Sequence, residues 1–220
     1  EKRDLIGLAQ TGTGKTAAFA IPILELLHAK KPLDGGIQAL IVTPTRELAI
    51  QIADNFKAYG KHLGLRSLVI FGGVKAHAQI QTLKQKPAIL IATPGRLLDL
   101  HQQGFVNLKQ LSIFVLDEAD RMLDMGFNED IMRIVSYLPK QRQTLLFSAT
   151  MPPKIRTLAG RLLQNPEQIN IAISKPAEGI VQQCYMVDDG HKLDLISRIL
   201  REGGFESIII FASTKEKVKK

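Results

Sequence analysis

Short runs of Val, Ile and Leu recur along this chain with helix-period stretches between them, and this alternation limits its architecture more than any other feature. Apolar runs occupy residues 4–8, 37–43, 67–71, 88–92, 113–117, 144–148 and 168–171, and read as buried strands. Residues 16–28, 46–62, 75–85, 96–102, 129–137 and 153–163 carry the helical period. Strict alternation implies right-handed crossovers onto a mostly parallel sheet. The expected fold class is therefore α/β, doubly wound, with helices on both faces of the sheet.

Residues 172–179 include Ser174, Pro176 and Gly179 with little apolar periodicity, and read as a linker. The rhythm then resumes with a strand at 180–187, a helix at 191–201, a strand at 207–211 and a helix opening at 214–220. The 49 residues from 172 to 220 are too few to complete such a fold. The expected organisation is a first domain at 1–171, a linker at 172–179, and the beginning of a second, truncated α/β domain at 180–220.

With 45% hydrophobic and 23% charged residues in 220, the chain can bury a substantial core. The 17 Gly, 10 Pro and single Cys exclude collagen-like, low-complexity and disulfide-scaffold classes. The lone Cys184 has no internal partner, and no signal-like start or long apolar run occurs, so a reducing, cytoplasmic setting without a membrane role is expected. Lys and Arg number 29 against 21 Asp and Glu. Residues 1–171 hold 21 basic and 14 acidic residues, while 172–220 hold 8 and 7, so the excess lies in the first part and suits a polyanion such as nucleic acid.

The segment Ala9, Gln10, Thr11, Gly12, Thr13, Gly14, Lys15, Thr16 follows the first strand and opens the first helix, the context of a phosphate-binding loop. Its glycines let backbone N–H groups turn toward phosphate oxygens. Lys15 places a point charge on the β- and γ-phosphates, and the Thr16 hydroxyl can ligate Mg²⁺. The general motif begins with Gly, where this chain has Ala9.

Asp117, Glu118, Ala119 and Asp120 end the strand at 113–117, which puts Asp117 at the carboxyl edge beside the phosphate loop. Asp117 can hold the metal through its water shell, and Glu118 can orient and deprotonate an attacking water. The plainer alternative is a charged turn with Asp120 as a helix N-cap. The five His are scattered, and neither an HExxH pattern nor a Cys-His cluster suggests a zinc centre.

Taken together, AQTGTGKT at 9–16, PTREL at 44–48, GG at 72–73 with Gln79 following, TPGR at 93–96, DEAD at 117–120, SAT at 148–150 and IIIFAST at 208–214 resemble the DEAD-box RNA helicases of superfamily 2, bacterial type. The resemblance covers nearly the whole chain, and Ala9 is common in that family. It implies a RecA-like P-loop NTPase fold and an ATP hydrolase acting as an RNA helicase, with ATP and Mg²⁺ as cofactors and the RNA sugar-phosphate backbone as partner. RNA contacts would come from Pro44, Thr45, Arg46, Gly73, Thr93, Pro94, Gly95 and Arg96. Lys15, Asp117 and Glu118 would be catalytic, and Asp120, Ser148 and Thr150 would couple the nucleotide site to the domain interface.

The family's adenine-recognition segment, which lies upstream of the loop, and its later second-domain motifs are expected to be missing from these 220 residues, which alone should be nearly inert. A monomer is expected, with any protein partners held through flanking segments. A slow-turnover RNA clamp or scaffold and a superfamily 2 DNA translocase stand as alternatives.

Overall fold

The computed structural model describes residues 3–10, 12–29, 36–171, 181 and 183–214. The chain divides into two compact units, Glu1–Ile173 and Ser174–Lys220. The expected linker at 172–179 lies outside the described residues, as does the helix opening at 214–220 beyond Thr214.

Among its described residues the first unit contains seven strands: β1 Leu5–Leu8, β2 Ala39–Val42, β3 Ser67–Ile70, β4 Ile89–Ala92, β5 Ile113–Leu116, β6 Gln143–Ser148 and β7 Glu167–Asn170. Its helices are α1 Lys15–Ala29, α2 Arg46–Tyr59, α3 His77–Leu83, α4 Pro94–Gln102, α5 Ala119–Asp124, α6 Asn128–Ser136 and α7 Pro153–Leu162. All pairings are parallel, in the order β3-β4-β2-β5-β6-β1-β7.

Strand periodicity of two explains the layers. Ala39 and Ile41 of β2 face one core with Phe19 and Ile23 of α1 and Ile52 and Phe56 of α2. Leu40 and Val42 face the other, with Leu97 of α4, Ile131 and Ile134 of α6 and Ile155 of α7. Every residue of β2, β4 and β5 is buried, as strands covered on both faces must be.

Several expectations need correction. The last strand is not buried: every residue of β7 is exposed, because it pairs only with β1 at the sheet edge. The helix expected over 46–62 ends at Tyr59, where the Gly60 N–H bonds the Phe56 carbonyl. The short helix α5 was anticipated only as the Asp120 N-cap alternative; it begins inside the tetrad, at Ala119, and stops before Gly126, which adopts φ 84°.

The second unit holds one 3-10 turn at Asp189–His191 and α8 Lys192–Glu202 among its described residues. The strands expected at 180–187 and 207–211 do not form at the described positions 181, 183–187 and 207–211. A strand requires a neighbour for its N–H and C=O groups, and no described segment pairs with these. Their apolar side chains stay open to solvent, Ile209 at 81% and Phe211 at 92%.

Candidate nucleotide and nucleic-acid site

Because every strand runs the same way, the carboxyl ends of β1 to β6 lie on one edge of the sheet, and each is followed by one of the motif-bearing loops. The carboxyl edge is where ligands bind in open α/β sheets. Strand order sorts the loops. Along the edge come 72–73 after β3, 93–96 after β4 and 44–46 after β2, then 117–120 after β5, 148–150 after β6 and 9–16 before α1.

At the phosphate loop, Gly12 and Gly14 adopt φ 83° and 85°, conformations open to glycine and strained for other residues. A Cβ at either would meet nothing within 4 Å, so the demand is on backbone conformation and not on space. The Ala9 N–H donates to the Ser148 carbonyl at 3.0 Å and anchors the loop to β6. The Thr13 hydroxyl donates to the Gln10 carbonyl at 2.7 Å. Thr11 lies outside the described residues. Lys15 is the first residue of α1, where free N–H groups favour an anion. Its Nζ is buried without a hydrogen-bond partner among the described residues. A buried cation with three unused donors fits an anionic ligand.

Asp117 is 4% exposed, and its backbone N–H bonds the Val42 carbonyl at 2.9 Å. Strand β6 lies between β5 and β1, so Asp117 is one strand removed from the phosphate loop and not on the adjacent strand. Burial pushes its carboxyl up to about 6, against the pull of the Lys15 charge and with a further push from Glu118. A cation at this carboxylate would relieve that cost.

Glu118 is the N-cap of α5, in place of the Asp120 considered from sequence, and sits at φ 54° and ψ 50°. This left-handed conformation costs a non-glycine residue about 1–3 kcal/mol and is a mark of functional turns. Its carboxylate is held by Arg121 at 3.4 Å, one helical turn on. Sequence reasoning passed over Arg121, although the i,i+3 spacing carried the signal.

Asp120 forms the link to β6. Its Oδ2 accepts from the Thr150 N–H at 3.0 Å and the Thr150 hydroxyl at 2.9 Å, while its own N–H donates to Ser148 Oγ at 3.3 Å. Burial pushes its carboxyl up, but the hydrogen bonds, led by Thr150, outweigh it and hold the group below its ordinary value.

On the other half of the edge, Pro44, Arg46, Gly72, Thr93, Gly95 and Arg96 line one cavity of 380 Å³ with Asp99 and Phe127. Thr45, Gly73 and Pro94 are not among its lining residues. Thr45 caps α2, accepting from the Leu48 N–H at 3.3 Å, and Pro94 starts α4. The Arg46 guanidinium lies 4.9 Å over the Phe71 ring. Arg96 donates to the Val74 carbonyl at 2.8 Å and Gln79 Oε1 at 3.3 Å, and approaches Asp99 at 3.7 Å. Gln79, itself buried, also accepts from the Phe71 N–H at 3.2 Å and donates to the Phe71 carbonyl at 3.1 Å. The glycine pair at 72–73 is thus pinned by one glutamine and one arginine, a clamp that sequence spacing alone did not reveal.

The chain is similar to known proteins in both sequence and fold. The family described as DEAD/DEAH box helicase matches residues 1–158. The chain is 44% identical over 219 residues to the DEAD-box ATP-dependent RNA helicase CshA of Geobacillus kaustophilus, covering 99% of this chain and 46% of that protein. It is 44% identical over 218 residues to the ATP-dependent RNA helicase DeaD of Buchnera aphidicola, covering 98% of this chain and 35% of that one. The chain therefore spans less than half the length of these relatives. The crystal structure of a hypothetical ATP-dependent RNA helicase from Sulfolobus tokodaii matches with a TM-score of 0.70 at 40% identity, over 77% of this chain and 48% of that one. No helix of the described residues is long and apolar enough to cross a membrane.

Proposed function

The chain belongs to the DEAD/DEAH box helicase family, and from that premise we propose that it forms the ATP- and RNA-binding body of a cytoplasmic ATP-dependent RNA helicase. Residues 1–171 are the first, ATP-binding domain, 172–179 the linker and 180–220 the beginning of the second domain. The observation that carries the reading is the sorting of six motif loops along one sheet edge, with the triphosphate loops on β5, β6 and β1 and the backbone-tracking loops on β3, β4 and β2.

In this reading residues 9–16 cradle the phosphates, and the Lys15 ammonium supplies the charge that its buried, unpartnered state leaves free. Thr16 and Asp117 would hold Mg²⁺, which supplies charge neutralisation at the β- and γ-phosphate oxygens when bound. Glu118, turned by its left-handed backbone and steadied by Arg121, takes the proton of the attacking water. The groove lined by Pro44, Arg46, Thr93, Gly95 and Arg96 grips the sugar-phosphate of single-stranded RNA, with Thr45 and Pro94 starting the helices that follow its loops and Gly73 next to the lining residue Gly72. Asp120, Ser148 and Thr150 tie the base-bearing turn to the end of β6 and carry the state of the nucleotide site toward the domain interface.

Calorimetry and turnover on the intact protein test this assignment. Lys15→Ala is expected to weaken ATP binding and abolish hydrolysis. Glu118→Gln is expected to leave binding in place and reduce turnover by about 10² to 10⁴, the range for a lost general base. Wild-type ATP affinity in the first variant, or wild-type turnover in the second, overturns the roles. Stimulation of the ATPase by single-stranded DNA as strong as by RNA would overturn the RNA assignment.

A further inference from the structure

The charge excess of residues 1–171 is confined to one structural segment. Residues 55–98 contain seven Lys and Arg, at 57, 61, 66, 75, 84, 86 and 96, and not one Asp or Glu. The rest of residues 1–171 holds 14 basic and 14 acidic residues and is formally neutral. The segment runs from the end of α2 through β3, α3 and β4 to the start of α4, so the whole excess wraps the β3 edge of the sheet.

The carboxyl end of that edge is the groove already described. A second cavity, of 440 Å³, opens at its amino end, with Lys57, Lys61, Arg66, Ser67, Thr82 and Gln85 among its lining residues and no acidic side chain in the lining. Lys84 and Lys86 flank Gln85 and are exposed. Lys86 adopts φ 51°, which tightens the turn between α3 and β4. No ion pair reaches Lys57, Lys61, Lys84 or Lys86 among the described residues. Only Arg66 is engaged, donating to the Gln85 carbonyl at 3.2 Å. Basic side chains gathered around a cleft without counter-charges repel one another, and a polyanion relieves that repulsion.

We propose that this cleft is a second nucleic-acid contact, which holds the phosphate backbone of an RNA arm continuing beyond the carboxyl-edge groove. The inference rests on the RNA reading of that groove. Ser67 lines the cleft, and the loop directly after Ile70 reaches the groove through Gly72. Four strand residues at roughly 3.3 Å each separate the two, about 13 Å along the sheet edge. A duplex presents a phosphate charge about every 1.7 Å of its axis, so one arm spans both sites. The lining offers charge and hydroxyl or amide donors, and its one aromatic residue, Phe56, is 1% exposed and presents no face to a base, which suits backbone contact and not base stacking.

The test compares two RNAs on the intact protein, a short single strand that only fills the groove and the same strand extended by a duplex arm. In the variant Lys57→Gln, Lys61→Gln, Lys84→Gln, Lys86→Gln, the armed RNA is expected to lose about tenfold more affinity than the short strand. Its log Kd against log salt slope should fall by about 2 to 4, near 0.9 per lost phosphate contact. Equal losses on both RNAs, or an unchanged slope, overturn the proposal. So does loss of polyglutamate binding with armed-RNA binding intact, which would make the cleft a surface for acidic protein. Arg46→Ala separates the two levels: weaker short-strand binding there, with no arm-specific loss in the lysine variant, sinks this inference alone. No effect of Arg46→Ala on either RNA sinks the groove reading beneath it.

Discussion

Asp117 is a carboxylate buried at a cost to stability. Its carboxyl moves from an ordinary 3.8 to about 6 through burial. Between those pH values the folded protein keeps a proton that the unfolded chain has released, so this group's contribution to stability falls as pH rises from about 4 to 6. The penalty is complete above that window and amounts to about 3 kcal/mol. Without nucleotide or metal, Asp117→Asn is therefore expected to melt higher than the wild type at pH 7.5 and to converge with it near pH 4. Parallel melting curves across that range would refute the buried-charge account. Sequence showed that Asp117 ends a strand beside other acids, but burial of its carboxyl needs the layers above and below. The same holds for Lys15, whose motif was legible while its lack of a hydrogen-bond partner among the described residues was not.

At the scale of elements, the turn after β3 depends on α3, seven residues long with Gln79 on its buried side. One side-chain amide satisfies both backbone groups of Phe71 and receives Arg96. Gln79→Leu removes all three bonds and leaves polar groups unpaired, a loss of about 1–3 kcal/mol. Loosening the turn by about 1.4 kcal/mol would weaken RNA binding about tenfold. ATP affinity, which the proposed assignment sets on the other half of the edge, should change much less, and anisotropy with labelled RNA beside ATP calorimetry reads the difference. Undiminished RNA affinity would show that the clamp is idle. Among the elements themselves, β2, β4 and β5 were legible because continuous apolar runs mark strands covered on both faces. The last strand carried a similar signal in Ile169 and Ile171, yet these lie 50% and 49% exposed, since local pattern does not tell a central strand from an edge. Helix α5 was legible only as the alternative that made Asp120 an N-cap, because six residues show too little periodicity.

Across the whole first unit, Asp4 joins parts of the chain far apart in sequence. Its carboxylate accepts from the Thr144 N–H and the Gln164 N–H, both at 2.7 Å, and its carbonyl accepts from the Glu167 N–H at 2.8 Å. One buried acid thus fastens β1, β6 and the segment entering β7. Asp4→Ala leaves two amides without acceptors and should remove about 3 kcal/mol, which lowers Tm by about 10 °C in a domain of this size. Asp4→Asn, keeping one acceptor, should recover part of that loss; a wild-type Tm for Asp4→Ala would refute the fastening role. What the sequence by itself determined about this protein is local: which runs of the first unit are strands, where glycines permit the turn before α1, and which charged and hydroxyl residues stand at the strand ends. Period, turn chemistry and motif spacing are properties of neighbouring residues, and they survive without a fold. What only the tertiary structure decided is neighbourhood. Along the chain the groove motifs at 44–46, 72–73 and 93–96 stand as a block between the triphosphate loop at 9–16 and its partner motifs at 117–120 and 148–150. The sheet order sorts them into two adjoining halves that meet where the Asp117 N–H bonds the Val42 carbonyl. Short apolar strands are chemically interchangeable as ladder partners, so their order is set by crossover lengths and by the packing of helices on both faces, which no single stretch of sequence contains.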